Sequence, residues 1–422
     1  MRKVAYLTDI EGQWDKLEDF CAGSSLVRLE DPAGARSRLV VADDAVFVFG
    51  GDAIDRGPAG RKIVATLLAA RRAQPDSVVL LAGNRDINKL RLARELDGSP
   101  PPRALAAVTS GRRGDLLRFI LTHTMGARAA FDHRRDELAA EGSAAADDDV
   151  VQSYLDDLAP GGAMRSYLSL AVLAHREDET LFVHGGVTPE NMGVVPGHGR
   201  RIPDVDDWLR ALNEFYAQSM HAFCTNMSSA DGTPMWQELI AYQSPKNGSR
   251  TNQASVVYAR PTDAVGNPML PPPHVVSDLA AAELRRVVVG HTPSGDCPAL
   301  LRDDTGFELL LADNSYGRVE RGSRVTIAEN VVRVVGTTEL DSGVREAVDY
   351  DAPHAREAPA QAAAGRSFLG LREVATGRLV KARLARGDYL LYRGFEGYRV
   401  EQIAVSEAEL AATALVAPRA AS

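Results

Sequence analysis

A mixed α/β fold built on a largely parallel sheet is predicted by three features of this 422-residue chain. Apolar β-type runs recur at Val4–Leu7, Ala45–Phe49, Val78–Ala82, Thr180–Val183 and Arg285–Val289, and each closes on a Gly or polar turn. The first three are each followed by a stretch with helical spacing, and such alternation calls for a sheet covered on both faces. The length gives room for one large α/β domain with insertions, or for two domains.

Composition sets the class. Hydrophobic residues make up 45% and charged residues 25%, ordinary values for a chain that forms a core without staples. The three cysteines, Cys21, Cys224 and Cys297, are widely spaced and odd in number, so no disulfide framework is expected and a reducing compartment is. Met1-Arg2-Lys3 runs into Val4–Leu7 and then a polar turn, which leaves no room for a signal-peptide core. No apolar run approaches the roughly 20 residues of a membrane span. The expected location is the cytoplasm. A formal charge of −9 argues against nucleic-acid or anionic-membrane partners, so an anionic ligand needs a local positive site.

In chain order, Val4–Leu7 ends in TDIEG and precedes an amphipathic helix over about Gln13–Cys21. Ala45–Phe49 ends in Gly50-Gly51 and leads to a helix over Arg61–Arg72, with Pro58 placed for its first position. Val78–Ala82 ends in Gly83-Asn84-Arg85-Asp86 ahead of a helix over Ile87–Leu96. Residues 97–162 break the rhythm and read as a helical insertion, its acidic patch at 141–149 as a solvated loop. A second insertion, 187–284, holds a helix over Val205–Phe223 whose Trp208, Leu212, Phe215 and Phe223 share a core-facing stripe. Its polar, Pro-rich part at 244–273 reads as a lid. Short strands follow near Glu308–Leu311, Arg324–Ile327 and Val331–Val335. Residues 337–366 have the composition of a linker, 367–405 alternate like a small β module, and a disordered tail follows.

Five turns share a feature. Each follows an apolar strand, and together they present Asp9, Asp52, Asn84, His184 and His291. Ligands of open α/β sheets bind at the carboxyl ends of strands, so side chains almost 300 residues apart converge there. Two carboxylates, an amide oxygen and two imidazoles suit Mn, Fe or Zn, and Asp52 is placed to bridge a pair of ions. Such a pair activates water and neutralises a phosphoryl group. The bland alternative is that Asp and Asn merely cap helices, and His123, His175 and His221, without partner spacing, read as plain surface or core residues.

TDIEG (Thr8–Gly12), GDAIDRG (Gly51–Gly57), GNRD (Gly83–Asp86), HGG (His184–Gly186) and GHTP (Gly290–Pro293) resemble the ordered motifs of calcineurin-like metallophosphoesterases. The spelling is most similar to the phosphoprotein (serine/threonine) phosphatase branch and its bacterial relatives. The resemblance covers residues 1–336, with insertions at about 97–162 and 187–284, and is silent on 337–422. It implies a four-layer α/β/β/α sandwich with helical insertions and a small C-terminal β extension, two divalent metal ions, and hydrolysis of phosphate monoesters by a metal-bound hydroxide. Asp9 and Asp52 would hold the first ion, and Asp52, Asn84, His184 and His291 the second. Arg56 would grip the phosphate with its planar fork, with Asn84 also at the substrate. ADNSYG (Ala312–Gly317) resembles the closing strand and loop, and Arg260 lies where this branch supplies another phosphate-binding arginine.

Two positions depart from the pattern. Glu11 stands where the first motif has histidine, which keeps a metal ligand but favours Mn or Fe over Zn. Arg85 stands where the third has the histidine that, with Asp55, protonates the leaving group. A guanidinium cannot donate that proton near neutrality, so Arg85 is expected to pair with Asp55 or Glu11 while reaching the phosphate. Substrates whose leaving group departs unprotonated, such as aryl phosphates, phosphotyrosine or phosphoanhydrides, are favoured unless a bound water donates the proton. The expected partner is a phosphorylated protein or small molecule, with the oligomeric state left open. The rival readings are a weak or inactive phosphatase-like binding module, and hydrolysis of a non-phosphate bond on the same scaffold.

Overall fold

The computed structural model of the chain describes residues 2–34, 37–97, 111–246, 248–249, 251–354 and 368–418. Among them the strands are β1 (Lys3–Leu7), β2 (Val27–Glu30), β3 (Arg38–Val41), β4 (Ala45–Phe49), β5 (Val78–Leu80), β6 (Ala174–Glu177), β7 (Thr180–Val183), β8 (Arg286–Val289) and β9 (Ala299–Arg302). The series continues with β10 (Glu308–Leu311), β11 (Arg324–Ala328), β12 (Val331–Glu339), β13 (Arg345–Pro353), β14 (Arg372–Glu373), β15 (Leu379–Arg383), β16 (Tyr389–Phe395), β17 (Arg399–Val405) and β18 (Leu415–Val416).

Two mixed sheets carry the architecture. One has the order β13-β12-β11-β1-β4-β5, with β1, β4 and β5 parallel and the rest antiparallel. The other runs β6-β7-β8-β10-β9, with β7, β8 and β10 parallel between antiparallel edges. The near-continuous apolar runs have a simple cause, because both faces of these strands are buried. Val4, Tyr6, Val46 and Val48 share one core cluster with Phe182, Val288 and Leu310 of the other sheet, and the Tyr6 and Phe182 rings stack at 5.6 Å. Their alternates, Ala5, Leu7, Phe47 and Phe49, join a second cluster with Leu17 and Phe20 of helix Trp14–Ala22 and Ile63 and Leu67 of helix Gly60–Ala73. Leu181, Val183, Val287 and Val289 enter the same cluster with Trp208 and Leu212 of helix Val205–Thr225 and Val275 and Leu279 of helix Pro273–Ala281. Burying each such side chain contributes about 1.5–3 kcal/mol.

The first insertion is helical, with Arg113–Phe119, Ala130–Ala140 and Asp147–Leu158, while its Pro-rich opening lies outside the described residues. The third motif enters helix Asn84–Asn88 directly. The middle of the stretch read as containing a lid is packed: Val256, Val257 and Ala259 are fully buried, and Gly185 N donates to Val256 O at 2.7 Å. The expected linker also differs. Residues 337–353 complete β12 and form β13 at the edge of the first sheet, with Val348, Tyr350 and Ala352 buried at period two. Charged residues on the outward positions of that edge strand gave it its linker-like composition. The remainder of the expected linker, 355–366, lies outside the described residues.

The C-terminal residues form a third, antiparallel sheet, β17-β16-β15-β14-β18. The expected disordered tail instead forms helix Glu407–Ala411 and β18. A buried polar seam fastens this sheet beside the fifth motif. Lys381 Nζ donates to Ser294 O, and Gln402 Nε2 donates to Asp296 Oδ2 (2.6 Å) and Thr338 Oγ1 (2.9 Å). No helix among the described residues is long and apolar enough to cross a membrane.

Candidate metal centre

All five predicted turns meet at the carboxyl ends of the two parallel strand triplets. β1, β4 and β5 deliver Asp9, Asp52 and Asn84 from one sheet, and β7 and β8 deliver His184 and His291 from the other. The turns are sharp enough to force several of these residues into the left-handed region: φ is 51° at Asp9, 47° at Glu11, 57° at Asp52, 113° at Asp55 and 56° at His291. Gly51 sits between β4 and Asp52 with φ of 99°, and a Cβ there would lie 2.6 Å from Gly83 N and 2.9 Å from His184 Nδ1. Only glycine fits. The two sheets are stitched across the site, since His184 Nδ1 lies 2.7 Å from Gly50 O and His291 N donates to Asp9 Oδ2 at 3.1 Å.

The ligand-type atoms form two groups that share one residue. Asp52, His184 and His291 present atoms within 4.8 Å of one another, and so do Asp9, Glu11 and Asp52. With Nδ1 against Gly50 O, His184 turns Nε2 inward to 3.1 Å from Asn84 Oδ1 and 3.4 Å from Asp52 Oδ1. That backbone contact is the usual device for fixing a ligand imidazole. His291 Nε2 is buried with no hydrogen-bond partner, a costly state that a bound cation would relieve. The oxygen and nitrogen donors of these two groups therefore fit a metal site.

The arginines are arranged differently from their expected roles. Glu11 lies between both: Arg85 Nε is 2.7 Å from its Oε1 and Arg56 Nε is 2.6 Å from its Oε2, close in charge but without hydrogen-bond alignment at Oε2. The expected pairing of Arg85 with Asp55 or Glu11 includes both, since its Nη1 lies 3.5 Å from Asp55 Oδ2. Arg85 lines the cleft, and so does Arg260. Arg56 does not line it. Its guanidinium lies 3.5 Å from the centre of the Tyr316 ring, and its Nη1 reaches Ser315 O at 3.4 Å. Arg260 is the guanidinium left for an anion: its Nε is buried without a hydrogen-bond partner, and it has no carboxylate partner among the described residues.

Charge crowding follows from burial. Burial pushes Glu11 up to about 7 against the pull of Arg85 and Arg56. Burial and the neighbouring Asp313 raise Asp9. At Asp52 burial works upward, but His184 and Arg85 outweigh it and hold the group low. At His184 burial works downward, yet Asp52 lifts it to about 10. Burial, with Arg260, His184 and Arg85 nearby, drives His291 well down, so it stays neutral with a lone pair to offer.

Four residues in this network escaped the sequence reading. Asp86 accepts from the backbone N of Asp52 (2.9 Å), Ala53 (3.0 Å) and Gly83 (3.2 Å), and so holds the shape of the central turn. Lys89, fully buried, donates to Asp55 Oδ2 at 2.8 Å. Asp313, just beyond β10, is a further strand-end carboxylate in the cleft wall, and its place in ADNSYG was the available signal. The Tyr258 ring lies 4.7 Å from that of His291. His123, set aside as a plain histidine, is exposed at the cleft lining.

No protein-family model matches this chain, and neither does any curated protein. Solved structures do. The cold-active protein-tyrosine phosphatase of a psychrophilic Shewanella species is 14% identical, with 82% of this chain and 80% of that one covered, at a TM-score of 0.43. A protein serine/threonine phosphatase from Saccharomyces cerevisiae is 12% identical, with coverage of 78% and 73% and a TM-score of 0.36. Likeness at this level carries no argument for the activity of this chain.

Proposed function

We propose that this chain is a metal-dependent phosphoesterase that hydrolyses phosphate monoesters of a phosphorylated protein or small molecule. One observation carries the reading: two buried ligand sets share Asp52, and the His291 nitrogen in one of them has no partner. The motif order in the sequence supports the same family reading. The two facing sheets, with helices packed on their outer residues, are read as a four-layer α/β/β/α sandwich that runs past residue 336 to the end of β13, and the C-terminal sheet as its extension.

Asp9, Asp52, Asn84, His184 and His291 would hold two divalent ions, of which Mn and Fe suit the oxygen-rich set best. Bound there, the ions would supply Lewis-acid neutralisation of phosphoryl oxygens and a more acidic water. Glu11 would complete the set with Asp9 and Asp52 while serving as counter-ion to Arg56 and Arg85. Arg260 takes the phosphate, Arg85 stabilises charge in the cleft, and Asp55 with Lys89 fixes Arg85. Arg56 positions Glu11 instead of gripping substrate. In the reaction water adds its oxygen to phosphorus and releases a proton to solvent. The bond to the leaving oxygen breaks with its electron pair, and that oxygen is protonated, where needed, from solvent. Without a protein acid in Arg85's place, aryl phosphates are the preferred class.

The test is metal analysis of the purified chain and turnover of phenyl phosphate with and without added Mn. Two metals per chain with metal-dependent turnover is the expected result. Metal without hydrolysis of any phosphate ester would favour the binding-module alternative, to which the closed Glu11–Arg56–Arg85 cluster lends its one observation. Equal rates on alkyl and aryl monoesters would sink the leaving-group preference.

A further inference from the structure

A chamber of about 400 Å³ opens beside the metal cleft, itself about 250 Å³. Arg260, Pro293, Tyr316 and Tyr398 line both, so the two spaces meet at these residues. The chamber is built jointly. Its lining comes from the loop through Arg260 and Gly266, from the fifth motif at Thr292–Gly295, and from the β16–β17 connection of the C-terminal sheet. Its volume is in the range of sites that enclose a drug-sized organic group.

Three properties say what it holds. Of the nine large hydrophobic side chains left exposed among the described residues, four line this one chamber: Val265, Tyr316, Phe395 and Tyr398. Exposed apolar surface gathered in a concave place marks a binding site. The Tyr316 and Tyr398 rings stack at 4.6 Å and 20° where the two spaces join. Tyr398 is presented there from a backbone φ of 60°, a conformation a bulky residue rarely adopts and one characteristic of functional positions. The charged lining is balanced, Arg260 and Arg399 against Asp263 and Glu396, and so offers no net attraction to a polyanion.

We propose that this chamber is the leaving-group subsite. It would take the phenyl ring and attached polar substituents of an aryl phosphate monoester, with Arg260 at the junction and the phosphate in the metal cleft. The inference rests on the phosphoesterase reading above. It also gives the C-terminal sheet a role: the β16–β17 connection supplies Tyr398, the ring that stacks on Tyr316. The shared chemistry is a substituted phenyl phosphate, whether a free small molecule or a phosphotyrosine within a peptide.

Calorimetric binding to the full chain, with and without Mn, tests it without turnover. The probes are methylphosphonate, benzylphosphonate, and a tetrapeptide carrying the phosphonomethyl analogue of phosphotyrosine. Benzylphosphonate is expected to bind at least about threefold tighter than methylphosphonate, the scale of one aromatic stacking contact. That ratio should collapse in Tyr398→Ala and survive in Tyr398→Phe. A further gain with the peptide, lost in Phe395→Ala, identifies a peptide source; equality with benzylphosphonate identifies a small molecule. Methyl and benzyl probes of equal affinity, or a ratio untouched by Tyr398→Ala, overturn the chamber while leaving the phosphoesterase reading intact. No binding of any phosphonate in any metal state overturns both.

Discussion

The contact between Lys89 and Asp55 permits a quantitative test of how the missing acid is replaced. Both side chains are only 1% exposed and Lys89 Nζ lies 2.8 Å from Asp55 Oδ2, while Asp55 Oδ1 has no hydrogen-bond partner. Lys89→Met would leave a buried carboxylate with Arg85 Nη1, at 3.5 Å, as its nearest cation. Breaking a buried pair by removing one partner costs about 3–5 kcal/mol. The residual pull of Arg85 places the loss near the lower end, about 3 kcal/mol, a large part of a typical folding free energy of roughly 5–15 kcal/mol. Asp55→Asn should cost a similar amount by stranding the ammonium, whereas the double variant, which strands neither charge, should recover most of that loss and lie closer to wild type than either single variant. Urea unfolding followed by circular dichroism on the four proteins gives the cycle. Turnover should also fall in Lys89→Met, because Arg85 would swing from Glu11 toward Asp55. A Lys89→Met protein within about 0.5 kcal/mol of wild type, or strictly additive losses, would refute the reasoning.

Other outcomes follow from the same geometry. Asp52→Asn should reduce metal content and cut turnover more than about 100-fold, with unchanged metal stoichiometry counting against a bridging role. In wild type, Mn at about 100 times its dissociation constant should add about 2.7 kcal/mol of stability, visible as a raised melting temperature that Asp52→Asn abolishes. Arg260→Ala should lower kcat/KM about 10- to 100-fold, the scale of a lost charged hydrogen bond, while Arg56→Ala acts mainly by loosening Glu11; the reverse ranking would return the phosphate to Arg56. Far from the centre, burial works to raise Glu177, but hydrogen bonds from His175 and Arg2 outweigh it and hold the group at about 2, below its ordinary 4.5. A depressed pKa contributes stability above the unfolded value and loses it as pH falls from about 4.5 toward 2. Because Arg2 is 42% exposed the share is discounted to about 1 kcal/mol, and Glu177→Gln should remove that slope from an acid-unfolding curve.

What the sequence disclosed and what it withheld divide along physical lines. Strand ends were readable because an apolar run followed by Gly-Gly-Asp or Gly-Asn-Arg marks both a buried strand and the turn that leaves it. The five strand-end side chains were therefore readable as one convergent group. The side-chain partners did not. Glu11 and Arg85 were visible as substitutions, but that Glu11 would engage Arg56 as well depends on two turns touching across 45 residues. Lys89 gave no signal in the sequence, since a lysine is almost never fully buried unless paired. β13 was hidden because only alternate positions of Arg345–Pro353 face inward, and the outward ones carry Arg345, Asp349 and Asp351.

The left-handed backbone at the centre has a consequence for how the chain changes over time. Asp9, Glu11, Asp52, Asp55 and His291 account for five of the twelve non-glycine residues with positive φ among those described. Such positions fold more readily with Gly or Asn than with these side chains. A library of variants selected for thermal stability alone would therefore drift first toward losing the centre, one relieved turn at a time. Carboxylates and imidazole persist there only under a demand that folding does not make.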